Sequence, residues 1–541
     1  MYRQEIKWLW NAWKGNRLQA FINASLGLID VAIQMAQVWA VKHAIDVASH
    51  ETDGNIYVAV GIMAALICCV YATSITGVWV RNILGVKAQN RMQQRMLDRI
   101  LRSEWQGKGQ MHSGDMINRL ETDVQHVVTF LTETIPNTIS VATLFVCAFL
   151  YLCTMDWRLA IIIVIMLPTF ILASKLYMRK MRALNRDVRD TDSEVQSILQ
   201  ETIQNRMLIK TQEKEEAMVD KLERTHSVLR RNVIKRTKFS VFSRFTLNFG
   251  FSTTYIIAFL WSAVRMSEGT LSFGGMTAFL QLVAKVQGPA RSLTNLVPQF
   301  VSVFTAVERL MELEKNPLEE QGEPRKMEGT LGVRFDNVSF TYPDDEQNKE
   351  VISNLTIDFK PATCNVILGE TGSGKTTLLR MILALIHPTA GNITIYNNQT
   401  EEKLSPLHRI NIIYVPQGNT LMSGTIRDNL LLGSLNATEE EMQKALATAC
   451  ADFVNELPEG IDTEISEDGI GLSEGQAQRI AIARALLRDG SLMIFDEATS
   501  ALDMDTEEQL LNNILAEQTK TVIFVTHRKQ VCKYSGNIIN L

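Results

Sequence analysis

With 541 residues the chain is long enough for several domains, and a net charge of −5 gives no basis for binding nucleic acid. A mean hydropathy of +0.01 alongside 21% charged residues does not suit a wholly soluble protein. The average hides a split: long apolar runs recur up to Val297, and all eight tryptophans lie at or before Trp261.

The N-terminal stretch 4–14 is basic and aromatic, and no signal-peptide cleavage pattern follows it. It reads as an amphipathic helix on a membrane surface, with Trp8, Trp10 and Trp13 at headgroup level. Six stretches then have the length and apolarity to cross a bilayer: 18–41, 57–80, 135–155, 159–177, 245–264 and 271–297. The sixth is the weakest, because Gln281, Lys285 and Gln287 interrupt it.

The connections are unequal. Those joining the second to the third span and the fourth to the fifth are long, helical in pattern and rich in Arg and Lys, including Arg91, Arg95, Arg186, Arg189, Arg230 and Arg231. The other three are short and carry almost no positive charge. The positive-inside rule therefore puts both termini and both long connections in the cytoplasm. Asp30, Gln34 and Gln37 fall on one helical face of the first span. A water-lined path and hydrogen bonds between helices both explain these faces of the first and sixth spans. Pro168 and Pro289 are candidate kinks. The seven cysteines form no C-x-x-C pair and imply neither a disulfide framework nor a zinc site.

From 312 to 330 the chain turns charged and gains Pro and Gly, as a linker does. Beyond it, residues 333–341 read as a strand with a slip in its alternation, ending at Tyr342. The apolar run Val366, Ile367, Leu368 breaks into G-x-x-x-x-G-K-T, filled by Gly369, Gly374, Lys375 and Thr376. Glycines let backbone N–H groups close around a phosphate, and the helix that follows presents its positive end to the same anion. Lys375 adds a point charge, and the Thr376 hydroxyl can ligate Mg²⁺.

Three further strands end in polar groups: 412–415 before Pro416 and Gln417, 491–495 before Asp496 and Glu497, and 521–525 before Thr526 and His527. Ligands of open α/β sheets bind at such strand ends. Asp496 is placed to hold Mg²⁺, Glu497 to polarise water, Gln417 to reach the metal or that water, and His527 to contact the γ-phosphate. Ser473 and Gln476 form a capping box at the start of a strong helix. This second anion-facing helix end points to a nucleotide shared between two copies.

Together these motifs resemble those of an ATP-binding cassette half-transporter of the exporter type, a family that includes multidrug, lipid and peptide exporters. The resemblance implies an α-helical membrane domain with six transmembrane helices (1–311), a linker (312–330) and a C-terminal α/β P-loop nucleotide-binding domain (331–541). It implies that Gly369, Glu370, Thr371, Gly372, Ser373, Gly374, Lys375, Thr376 and Thr377 hold the phosphates of ATP, with Tyr342 stacked on its adenine. Ser473, Gly475 and Gln476 belong to the signature, and 500–503 is the D-loop. Glu497 is the implied base, His527 the switch histidine and Gln417 the Q-loop residue; Thr376, Gln417 and Asp496 are the implied Mg²⁺ ligands. Residues 114–123 resemble the first coupling helix, 201–210 the stretch after the second, and Glu308 and Arg309 the end of the sixth span.

The function implied is ATP-driven export of an amphipathic drug, lipid or peptide by a homodimer in the bilayer, with a lipid or lipid-linked glycan flippase, or one half of a heterodimer, as alternatives. The location implied is the bacterial cytoplasmic membrane, with the nucleotide domain in the cytoplasm. Two departures stand out: the signature reads LSEGQ where the family has LSGGQ, and the chain ends soon after His527 where family members continue. No N-terminal peptidase domain is present, so export with substrate processing is not expected. A nucleotide-gated regulator would carry degenerate catalytic positions, and none is seen.

Overall fold

The computed structural model describes residues 3–15, 17–105, 113–343, 350–370, 372–465, 471–516, 519–528 and 531–541. The chain divides into two compact units, one of Met1–Leu97 with Ile117–Glu312 and one of Asp98–Met116 with Leu313–Leu541.

The first unit is helical. It contains α1 (Arg3–Ala12), α2 (Arg17–Ala48), α3 (Ile56–Leu101), α4 (Ser113–Asn118), α5 (Val124–Thr129), α6 (Ile135–Met155), α7 (Trp157–Gln204), α8 (Arg206–Thr211), α9 (Glu215–Ser267) and α10 (Phe273–Lys315), with the ends of α3, α4 and α10 reaching into the second unit. At 1.5 Å per residue, α3, α7 and α9 are each roughly 70–80 Å long, more than twice the ~30 Å of a bilayer core. The long cationic connections thus continue as helix, as expected.

Among the described residues four helical runs are long and apolar enough to cross a membrane: Ala20–Ala48, Ile56–Leu101, Gly114–Met155 and Glu215–Ser267. Six spans are expected from the sequence, and these four meet both criteria among the described residues. The expected span at 159–177 lies in α7, where most side chains fall outside the described residues. The expected sixth lies in α10, whose apolar run is broken by Gln281, Lys285 and Gln287. Both helices run unbroken past Pro168 and Pro289.

Stretch 114–123 is not a separate helix: it leads through π-helical turns at Arg119–Asp123 and Phe130–Thr134 into α6. Pro136 has no N–H, so the carbonyl of Thr132 loses its helical donor. The buried Asn23 amide donates to that carbonyl instead, at 2.9 Å. Arg119 donates to Glu312 (2.7 Å), and Arg309 lies 3.5 Å from Asp123, so this stretch and the end of α10 are held by two ion pairs.

The core of this unit combines Val38, Leu152, Phe279 and Leu282 with small residues such as Ala148 and Ala258, which let helices approach closely. The polar faces of α2 and α10 meet. Gln34 donates to Asp30 (2.7 Å) and accepts from Lys285 (2.9 Å), and Thr73 of α3 donates to Asp30 (3.3 Å). Asp30, Gln34, Thr73 and Lys285 thus form hydrogen bonds that link α2 to α3 and α10. In α1, Trp8 is buried while Trp10 is exposed, so Trp8 turns into the protein and not toward headgroups.

The second unit is α/β. Its strands are β1 (Gly332–Thr341), β2 (Glu350–Phe359), β3 (Cys364–Leu368), β4 (Ala390–Tyr396), β5 (Glu401–Lys403), β6 (Ile412–Val415), β7 (Gly424–Thr425), β8 (Glu464–Ile465), β9 (Leu492–Asp496), β10 (Thr521–Val525) and β11 (Asn537–Asn540). Its further helices are α11 (Lys375–Ile382), α12 (Ile426–Leu431), α13 (Glu439–Thr448), α14 (Glu474–Leu486) and α15 (Met504–Leu515). An antiparallel sheet has the order β2-β1-β4-β5, and a parallel sheet the order β11-β3-β10-β9-β6. Apart from the edge strand β11, the parallel strands are near-continuous apolar runs because both faces are covered. Leu378 and Ile382 of α11 pack with Phe335 and Phe359 in one core cluster. Ile480 and Leu510, from α14 and α15, share the other with Met493 and Phe524. The slip expected in β1 is a bulge at Phe335–Val338, with Asn337 at φ +48°.

The charged stretch after α10 is tied down. Arg99 donates to the carbonyls of Glu314 and Asn316, and Ser103 bridges Leu318. Arg409 grips Glu319 with two bonds of 2.6 and 2.8 Å.

Candidate nucleotide site

Parallel register brings the C-terminal ends of β3, β10, β9 and β6 to one edge, with Val525 beside both Ile367 and Asp496, and Val415 beside Phe495. The glycine-rich loop leaves β3 there. Gly372 and Gly374 take φ of +91° and +102°, which a side chain would strain. Gly374 is the N-cap of α11, so the first N–H groups of that helix open toward the loop. Lys375 is 8% exposed and donates from Nζ to the carbonyls of Gly369 (2.6 Å) and Glu370 (2.9 Å). Ser373 Oγ is buried with no hydrogen-bond partner among the described residues, an orphan that a phosphate oxygen would satisfy. Thr376 is exposed on the first turn of α11. Thr371 lies outside the described residues.

Glu497 follows β9 at φ +48°, a conformation costly for a glutamate and commonest at functional sites. Its N–H donates to Val525 O (2.9 Å), which fixes the turn. Its carboxylate accepts from Gln417 Nε2 at 2.8 Å and stands 2.9 Å from His527 Nε2. Gln417 and His527, from two other strand ends, thus converge on the Glu497 carboxylate. With Gln417 Nε2 engaged, its Oε1 remains an available oxygen donor.

Asp496 is buried beside them and accepts from the Tyr414 hydroxyl (3.2 Å). Burial, opposed by the Tyr414 hydrogen bond and helped by the neighbouring Glu497 charge, holds its carboxyl above the usual range. A buried carboxylate, an exposed threonine hydroxyl and an amide oxygen make a hard-oxygen donor set that fits Mg²⁺.

Tyr342 departs from expectation. Its ring is 2% exposed and packs edge-on against Phe340, and its hydroxyl bonds to Thr377 Oγ1 (3.0 Å) and Arg380 (3.1 Å). It offers no free face to an adenine in this conformation; its apolar ring is drawn into the core under α11. Arg380 in turn lies over the Trp105 ring at 5.9 Å.

Ser473 and Gln476 form the expected capping box: Ser473 Oγ accepts from Gln476 N (3.2 Å) and Gln476 Oε1 from Ser473 N (2.8 Å). Among the described residues no hydrogen bond joins Ser473, Gly475 or Gln476 to the glycine-rich loop. Gly475 lies instead against the turn after Glu497. A Cβ on Gly475 would lie 2.9 Å from Ala501 O, so glycine is required for that approach. Glu474, the departure in the signature, is exposed in the first turn of α14, where an acid suits the helix dipole.

Sequence reading missed two residues that hold this turn. Gln478, 2% exposed, donates to Ser500 Oγ (3.3 Å) and accepts from Ala501 N (3.2 Å). Arg528 donates to Ser500 O (2.6 Å), Leu502 O (3.1 Å) and Glu507 (2.8 Å). The signal available for both was adjacency, to Gln476 and to His527.

Comparison with known proteins agrees with this geometry. The family model described as ABC transporter transmembrane region matches residues 21–290, and that described as ABC transporter matches 352–500. The chain is 31% identical to an ATP-dependent lipid A-core flippase of Pseudomonas fluorescens, over 77% of this chain and 69% of that protein. It is 26% identical to a multidrug resistance ABC transporter ATP-binding and permease protein of Lactococcus lactis, over 93% and 85%. A bacterial Atm1-family ABC exporter solved with ATP bound has the same fold, with a TM-score of 0.79 at 21% identity over 97% of this chain and 94% of that one. A membrane-spanning helical unit and an ATP-binding cassette on one chain, each matched by its family model, make this protein an ATP-hydrolysing ABC transporter of the exporter family.

Proposed function

We propose that the chain acts as a homodimer that exports an amphipathic compound, with Glu497 as the base of its ATP hydrolysis. The observation that carries the base is the strained Glu497 held by Gln417 and His527. Gly369, Glu370, Gly372, Ser373, Gly374, Lys375, Thr376 and Thr377 form the phosphate cradle, and Thr371 completes it by position in the motif. Lys375 exchanges its loop carbonyls for phosphate oxygens. Thr376, Asp496 and Gln417 would hold Mg²⁺, which would supply neutralisation of the phosphate charge. Glu497 takes a proton from the attacking water, and His527 keeps its carboxylate aimed. Ser473, Gly475 and Gln476 meet the nucleotide of a second copy.

In this reading the membrane domain covers 1–311 with six spans, the linker 312–330 and the cassette 331–541, and the long helices face the cytoplasm of a bacterial inner membrane. ATP-driven closure of two cassettes pulls those helices together, and hydrolysis resets them. Glu497→Gln is expected to lower ATP turnover of the purified chain in lipid nanodiscs by on the order of 10²–10⁴-fold while ATP binding is retained. Turnover near wild type would remove Glu497 from the role of base. A wild type that binds ATP but does not turn it over would instead point to a heterodimer. The similarity to a lipid A-core flippase supports a second reading, in which the amphipathic cargo is a lipid flipped between leaflets.

A further inference from the structure

The three short connections carry two basic residues between them, Arg158 and Arg265, and both line one pocket. Its volume is about 410 Å³, within the range of small-molecule sites. On the proposed orientation, on which this inference rests, the pocket opens at the outer face, where the positive-inside rule disfavours arginine.

The donors around it are unequally used. Asp156 accepts from Trp261 Nε1 (2.9 Å) and from the backbone N–H of Arg158 (3.0 Å). Arg265 stands 3.6 Å from the same carboxylate, beyond hydrogen-bond reach, with its guanidinium over Trp261. The Arg158 guanidinium lies 5.8 Å from the Trp157 ring and has no carboxylate at ion-pair distance among the described residues. The pocket therefore has two cations against one carboxylate that already has donors of its own. Trp157 is exposed beside it, as an interfacial tryptophan is, and with the half-buried Leu271 it supplies an apolar side.

We propose that this pocket binds a phosphate group on the forks of Arg158 and Arg265, and that the ligand is a phosphate-bearing amphiphile whose apolar part lies along Trp157 and Leu271. Arginine forks suit phosphate oxygens, and a surrounding of tryptophan and apolar side chains strengthens the contact. The chemistry is shared by a phospholipid headgroup and by free phosphate.

The test is lipid retention by the full chain, read by native mass spectrometry with phosphatidylglycerol, with diacylglycerol of the same acyl chains, and with inorganic phosphate alone. Wild type is expected to prefer phosphatidylglycerol over diacylglycerol by about tenfold, and Arg158→Gln with Arg265→Gln to lose that preference. Arg158→Gln alone breaks no ion pair and serves if the double variant fails to fold. Arg244→Gln, outside the pocket, should change nothing. Phosphate binding that the pocket variants abolish, without lipid preference, keeps the phosphate site and makes its ligand a free phosphate. Equal preference in wild type and pocket variants, or an equal loss in Arg244→Gln, overturns the proposal.

Discussion

Arg528 directs its guanidinium to two carbonyls of the turn after Glu497 and to Glu507, whose other carboxylate oxygen is buried without a partner among the described residues. Removing the cation leaves that carboxylate stranded. Arg528→Met is expected to cost about 3 kcal/mol, seen as a lower apparent melting temperature of the full chain, whereas Glu507→Gln should cost far less. Equal effects would mean that the carbonyl contacts, and not the ion pair, matter. At this scale the sequence was legible where chemistry sits at strand ends: Gln417, Glu497 and His527 meet as their positions suggested. Arg528 and Gln478 were not legible, because their partners are mostly backbone groups of a turn that only the fold brings near. The packing of Tyr342 was not legible either, because nothing local distinguishes an aromatic that faces a base from one that packs under a helix.

Elements were easier to read than the bonds that hold them. The limits of β6, β10 and α6 fall where the apolar runs and turn residues put them. What the pattern concealed was tertiary compensation. Pro136 lies in the first turn of α6, and the carbonyl it abandons is satisfied from a different helix, by Asn23. Asn23→Ala should leave that carbonyl unpaired in an apolar setting and destabilise the membrane unit by about 1–3 kcal/mol, read as a lower melting temperature in detergent. A melting temperature equal to wild type would mean that the Thr132 carbonyl finds another donor. The charged 312–330 stretch likewise reads as a loose linker, while Arg99, Ser103 and Arg409 fix much of it in place.

For the whole molecule the half-buried polar chain Asp30–Gln34–Lys285 joins helices far apart in sequence. An ionic network within spans is costly unless satisfied, and its members are candidates to change partners when cargo enters. Asp30→Asn should alter which compounds stimulate ATP turnover while unstimulated turnover stays close to wild type; an unchanged stimulation profile would assign the network to helix packing alone.

All eight tryptophans precede Val264, and of them Trp105 alone belongs to the unit that holds the cassette. Its ring lies against Arg380, which bonds to Tyr342, which bonds to Thr377 beside the phosphate-cradling loop. The protein thus carries its own optical probe. Ligand entering that loop disturbs Thr377 and, three contacts away, the electric field on one indole. The difference in emission between wild type and Trp105→Phe becomes a label-free clock for nucleotide arrival and departure.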